Sequence, residues 1–273
     1  MTTATATTRP ARSVGFGATL ASEWTKLLSL RSTKITVVLG VLVAIGMTSL
    51  LSAVVGSTMS GWPPEQQAQF NPTEFSLFGT IFSAIFFTVL GVNIVASEYS
   101  TGMIRLTFTV TPKRTRVLVA KLMLVTAVTL VAGTIATFGM YFAAQAVFEY
   151  YGLTPAALSD PDTQRVLVMV SLLGPVWPVI GATTAVLTRS AAASIASVMA
   201  MIFAPAMFGG LLPRRWQEDV LAYLPGPLTD SLSLPSTTAS PMHLDAPIAA
   251  AALAAWLVLF IFAAWVVLTR RDA

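Results

Sequence analysis

The sequence predicts an all-α polytopic membrane protein: six transmembrane helices, an N-terminal interfacial helix, and both termini on the cytoplasmic side. Three observations carry this. Only 10% of the 273 residues are charged, against about 25% in a soluble domain, and mean hydropathy is +0.75. Six apolar stretches reach the roughly 20 residues needed to cross a hydrocarbon core of ~30 Å; they lie at about 34–55, 76–96, 122–148, 166–187, 191–212 and 247–268. Finally, the basic residues segregate. With the N-terminus inside, thirteen of the sixteen Lys and Arg fall on the inner side, leaving Arg165, Arg214 and Arg215 outside, as the positive-inside rule requires.

The spans occupy about half of the chain, which leaves no room for a second folded domain. The expected organisation is a disordered Thr/Ala-rich tail, 1–13, ahead of one six-helix transmembrane domain, 14–273. The first span is longer than the apolar core of a cleaved signal peptide and reads as a signal anchor. There is no cysteine, so disulfides and thiolate metal sites are excluded. The net charge of +4 reports topology rather than nucleic-acid binding.

Before the first span, "GATLASEWTKLLSLR" brings Leu20, Trp24, Leu27, Leu28 and Arg31 together at helical periodicity. An interfacial helix would lie flat with Trp24 at headgroup level and Glu23, Lys26 and Ser29 toward the cytoplasm; the alternative is a downward extension of span 1. The first outer loop, broken by Pro63, Pro64 and Pro72, reads as irregular. Span 2 carries Phe75, Phe78, Phe82, Phe86 and Asn93 within roughly 80° of one helix face. Such a stripe is either packing and lipid contact or the wall of an apolar cavity with Asn93 as its polar contact.

Span 4, with Gly174, Pro175 and Pro178, should be kinked. A tight turn at "LTRSA" joins it to span 5, where Met199, Phe203 and Met207 form an adaptable apolar face. In the last outer loop, two apolar patches are split by Pro225-Gly226-Pro227. That pattern reads as a broken, partly re-entrant helical hairpin, which needs protein or a watery cavity over it, or as an ordinary surface loop.

The missing chemistry narrows the class. No span has an Asp, Glu, Lys, Arg or His in its interior, where ion-coupled carriers keep theirs. The one histidine, His243, lies in an outer loop, and no Lys is followed by Ser or Thr, so there is no His-based catalytic site or phosphate loop within the membrane. The chain is therefore expected to be no enzyme and to bind no cofactor or metal. Energy for any uphill movement would come from another polypeptide.

That gives "SEYSTGMIRLTFTVTPKRTRVLVAK", Ser97 to Lys121, a purpose as an inner connector that a cytosolic partner could grip. Ser100 and Thr101 can cap a short helix, with Met103, Leu106 and Val110 on one face and Thr111-Pro112 ending it. The alternation of Ile104, Leu106, Phe108 and Val110 is a competing strand signal, but an isolated strand is poorly stable, so a helix is expected. This segment resembles the connector after the second span of ABC-2 type transporter permeases: an acidic-aromatic pair, a Gly and an "IR-T" run, then basic residues leading into the third span. The "SEWTKLLSLRSTK" leading helix, six spans, internal termini and long last outer loop are similar to the same family.

The resemblance implies an exporter half. Two permeases, identical or homologous, would pair in lipid, each on a separate cytosolic ATP-binding subunit that holds the ATP and Mg. Glu98, Tyr99, Gly102, Met103, Ile104 and Arg105 would couple to that subunit, supported by Glu23 and Lys26. Spans 2 and 5 would line the pathway with Phe78, Phe82, Phe86, Asn93, Met199, Phe203 and Met207. Leu224, Pro225 and Pro227 would belong to an outer gate. The implied function is export of a hydrophobic or amphiphilic drug, lipid or peptide across a bacterial plasma membrane. The rival reading is a non-transporting membrane anchor, immunity or assembly protein.

Overall fold

A computed structural model describes residues 15–110, 113–234 and 240–270. Among them every regular element is a helix. Six segments are long and apolar enough to cross a membrane: Arg31–Gly61, Pro72–Ser100, Arg114–Tyr150, Pro161–Thr188, Ala191–Leu211 and Ala246–Arg270. The chain is thus a multi-pass helical membrane protein, and positions 1–13, the expected tail, lie outside the described residues.

Helix α1, Phe16–Ser29, is followed after Leu30 by α2, Arg31–Thr58, which forms span 1 with a 3-10 turn at Met59–Gly61. The proline-rich connection is more ordered than its composition suggests. Pro64 opens α3, Pro64–Gln69, and Pro72 opens α4, Pro72–Phe75, because proline's fixed φ and missing N–H suit a first helical turn. Asn71 caps α4, its Oδ1 accepting from the N–H groups of Thr73 at 3.0 Å and Glu74 at 3.2 Å. Four turn residues then separate α4 from α5, Thr80–Ser100, so span 2 is not one continuous helix.

The connector after α5 forms α6, Met103–Val110, and not a strand. Ser100 and Thr101 do not cap it. Both hydroxyls donate back to the Ser97 carbonyl and close α5, and Gly102 makes the turn at φ +70, where a side chain would be strained. The basic run opens α7, Arg114–Tyr150, about 55 Å long at 1.5 Å per residue. Span 4 is broken into α8, Pro161–Leu173, and α9, Val176–Thr188. Pro175 and Pro178 cannot donate to the preceding turn, which places the break at Gly174-Pro175. Arg189, in the left-handed region at φ 56, turns the chain into α10, Ala191–Phe208, whose cap is Ser190 Oγ accepting from Ala193 N. The chain continues through α11, Arg214–Asp219, and α12, Pro225–Ser233, to α13, Ala246–Arg270.

Helix α9 is the hub: every residue from Val176 to Val186 is buried, with α5, α7, α10 and α13 around it. Burial reaches 67% in the span Pro161–Thr188 but only 17% in each of the last two, so those two present broad apolar faces outward. The α5–α9 contact is close because glycines form it. A Cβ at Gly91 would run into the Pro178 carbonyl, and one at Gly181 would sit 3.1 Å from Thr88. Small residues at such crossings let backbones approach, and van der Waals packing drives the association.

Candidate functional site: a buried charge quartet and an acidic aromatic cavity

Two features stand out, at opposite ends of α5. At its C-terminal end, four charged side chains from three helices close on one another. Lys121 of α7 donates from Nζ to Glu23 Oε2 of α1 at 2.7 Å and to the Ile94 carbonyl at 3.2 Å. It also lies 2.9 Å from Glu98 Oε1. Lys26 reaches Glu23 Oε1 at 2.7 Å, Glu98 Oε1 at 2.9 Å and Thr107 of α6 at 3.3 Å. Two acids and two bases make a neutral set, which is what allows Glu23, Glu98 and Lys121 to be buried. Burial pushes the Glu23 carboxyl up, but Lys121 and Lys26 outweigh it and hold it below the usual 4.5. Burial likewise disfavours the Lys26 ammonium, and Glu23 with Glu98 more than restores it, above the usual 10.5.

This corrects the expected orientation of α1. Glu23 and Lys26 turn inward, while Trp24 and Leu28 are the exposed side chains. The cause lies almost a hundred residues away, in Lys121. Of the other connector residues, Ile104 is buried and Tyr99 half-buried under the Arg189 guanidinium, 5.6 Å from the ring centroid. Gly102, Met103 and Leu106 are exposed. The side chain of Arg105 lies outside the described residues.

Toward the N-terminal end of α5 opens a cavity of about 640 Å³, within the range of small-molecule sites. Thr80, Ser83, Ala84 and Phe87 line it from one α5 face, at i, i+3, i+4 and i+7. Phe75 and Phe78 enter from the α4 side, Trp177 from α9, Ile202 and Ala206 from α10, and Gly226 and Asp230 from α12. Among the predicted pathway residues, Phe78 lines this cavity and Phe82, Phe86, Asn93, Met199, Phe203 and Met207 do not. The turn between α4 and α5 shifts the helical register, so Phe78 and Phe82 part company. Phe86 packs where α2 offers Gly40, Asn93 is exposed, and Met207 is 66% exposed.

The segment predicted as a gate adjoins the cavity: Gly226 lines it, whereas Leu224, Pro225 and Pro227 do not. Pro225 is buried, Leu224 and Pro227 are half-buried, and Leu228 beyond them is fully buried against the α9–α13 core. The residue that sequence reasoning passed over is Asp230, on α12. Its side chain opens to the cavity, yet the surrounding protein desolvates the carboxylate and pushes it up to about 6.

The family model described as protein of unknown function (DUF2705) matches residues 63–273. The chain belongs to the DUF2705 family. No curated protein matches it. The DUF2705 match overturns the resemblance to ABC-2 type permeases, which no family match supports. The residues that carried the resemblance have local reasons here: Glu98 completes an ion-pair quartet, Gly102 adopts a positive φ, and Lys121 is a buried counter-ion. Every cavity-lining residue of this DUF2705 chain falls inside the matched region, whereas Glu23 and Lys26 precede it.

Asp230 also makes a stability prediction. Its carboxyl titrates near 3.8 when unfolded and about 6 when folded. The folded state therefore holds more protons between those values, and stability falls as pH rises through the window. Water in the cavity screens part of this cost. Asp230→Asn is expected to raise the Tm by roughly 2–4 °C at pH 7.5, and by less at pH 5. An equal shift at both pH values in a detergent thermal melt would disprove the assignment.

Proposed function

We propose that this chain is the membrane-embedded subunit of a transport machine that takes a hydrophobic or amphiphilic compound into the α5–α9–α12 cavity. Its termini face the cytoplasm, α1 lies in the inner interface, and a separate cytosolic ATPase subunit supplies the energy. The cavity is the observation that carries the reading: it has the size of a small-molecule site, aromatic walls and a few polar groups. The distribution of basic residues supports that orientation of the termini.

The coupling surface is α6. Met103 and Leu106 are 45% and 67% exposed, three residues apart on one helix face and free to meet a partner. Glu98, Glu23 and Lys26 act behind them, tying α1 and α6 to α5 and α7 so that a push on α6 reaches the bundle. Co-purification in mild detergent tests this. Wild type should retain an ATP-hydrolysing subunit, and Met103→Glu/Leu106→Glu should lose it while folding normally. If no such subunit accompanies the wild type, the energised reading fails and a non-transporting anchor takes its place.

A further inference from the structure

The cavity wall holds two acids, Asp230 on α12 and Glu74 on α4, and among its lining residues no Lys, Arg or His. Glu74 has a local partner, Asn71 Nδ2 donating to its Oε1 at 3.1 Å. Asp230 differs. Among the described residues its carboxylate takes part in no hydrogen bond or ion pair; its backbone carbonyl accepts from Leu234 N at 2.8 Å. The buried carboxylates Glu23 and Glu98 each meet two lysines, whereas Asp230, which opens to the cavity, meets none. A carboxylate left without a counter-charge against apolar walls is costly. A neutral occupant would leave that cost in place, and an anionic one would increase it.

The walls point the same way. Phe75, Phe78, Phe87 and Trp177 present aromatic surface to the same space, and aromatic faces attract cations through their quadrupoles, most strongly where water is excluded. Aromatic rings and an uncompensated carboxylate together form the chemistry that recognises a bulky, weakly hydrated cation.

We propose that the cavity binds an amphiphile with a cationic head, a quaternary ammonium or similar lipophilic cation, with Asp230 as its counter-charge and the aromatic wall around its apolar body. This rests on the functional reading above and narrows it to one class of compound. Glu74, held by Asn71, adds negative potential at the α4 side of the cavity without being the principal partner.

A near-isosteric pair of probes tests charge selection directly: tetraphenylphosphonium and tetraphenylborate, titrated calorimetrically into the full chain in an uncharged detergent. Ala84→Trp, which fills the cavity, serves as the baseline for partition into the micelle. The wild type should bind the cation above that baseline and the anion at least tenfold more weakly. Asp230→Asn should lose about tenfold or more in cation affinity, the scale of one charge-assisted contact. Equal binding of both probes above the Ala84→Trp baseline would overturn the cationic assignment and leave an unselective amphiphile site standing. Unchanged cation affinity in Asp230→Asn would remove Asp230 as the counter-charge. No binding of either probe above baseline would overturn the cationic assignment together with the reading of the cavity as an amphiphile site.

Discussion

Lys121→Met is expected to destabilise the folded chain by about 3–5 kcal/mol, because it leaves buried carboxylates without their counter-charge. Methionine keeps the apolar stem and removes the ammonium that serves Glu23, Glu98 and the Ile94 carbonyl. Lys26, the remaining cation, has 32% of its side chain exposed and would face two acids alone. In a detergent melt the Tm should fall by roughly 10 °C, taking a few degrees per kcal/mol for a chain of this size. Pairing the substitution with Glu23→Gln should recover part of the loss, giving a non-additive cycle.

The pH dependence of that difference follows from the signs. Glu23 is held below 4.5, so its contribution is present above that value and lost as pH falls through its folded value. Lys26 is held above 10.5, so its contribution is present below and lost as pH rises through its folded value. Wild type and Lys121→Met should therefore differ most above about pH 5 and converge as pH falls and Glu23 takes up its proton. A Tm for Lys121→Met within a degree of wild type at pH 7.5 would mean that the quartet does not hold α1, α5 and α7 together.

The spans were legible because a run of about 20 apolar residues has few alternatives, and the break at Gly174-Pro175 because proline removes a donor. Which face of each span points inward was much less legible. Outside a membrane protein lies lipid as apolar as leucine, so an apolar stripe does not mark the interior. On α10 the Met199–Phe203–Met207 stripe lies one position off the face that lines the cavity, Ile202 and Ala206. On α5 the lining set contains Ser83 and Ala84 beside Phe87, a mixture that no hydrophobic count would select. Asp230 does not stand out in the sequence because nothing local shows that α12 folds back against α8, α10 and α13. The quartet was half visible. Glu98, Glu23 and Lys26 belong to the predicted coupling set and Lys121 does not, and their mutual pairing depends on contacts between residues 72 and 98 positions apart.

A graded glycine series tests the hub that holds the cavity in shape. Gly91→Ala should cost about 1–3 kcal/mol, the usual range for overpacking, because the added methyl meets the rigid Pro178 carbonyl of α9 rather than a movable side chain. Gly181→Ala should cost less, since its nearest neighbours, the Thr88 carbonyl and the methyl groups of Thr88 and Val92, all lie at 3.1 Å and need give only a few tenths of an ångström. Gly46→Ala on α2 meets nothing within 4 Å and should be neutral or stabilising by up to about 1 kcal/mol through helix propensity. The same order should appear in binding. Gly91 lies one turn beyond Phe87, and Pro178 adjoins Trp177, so separating the two backbones moves opposite walls of the cavity. Gly91→Ala is therefore expected to weaken tetraphenylphosphonium binding, while Gly46→Ala leaves it unchanged. If all three variants melt alike, close α5–α9 packing is not what sets the width of the site.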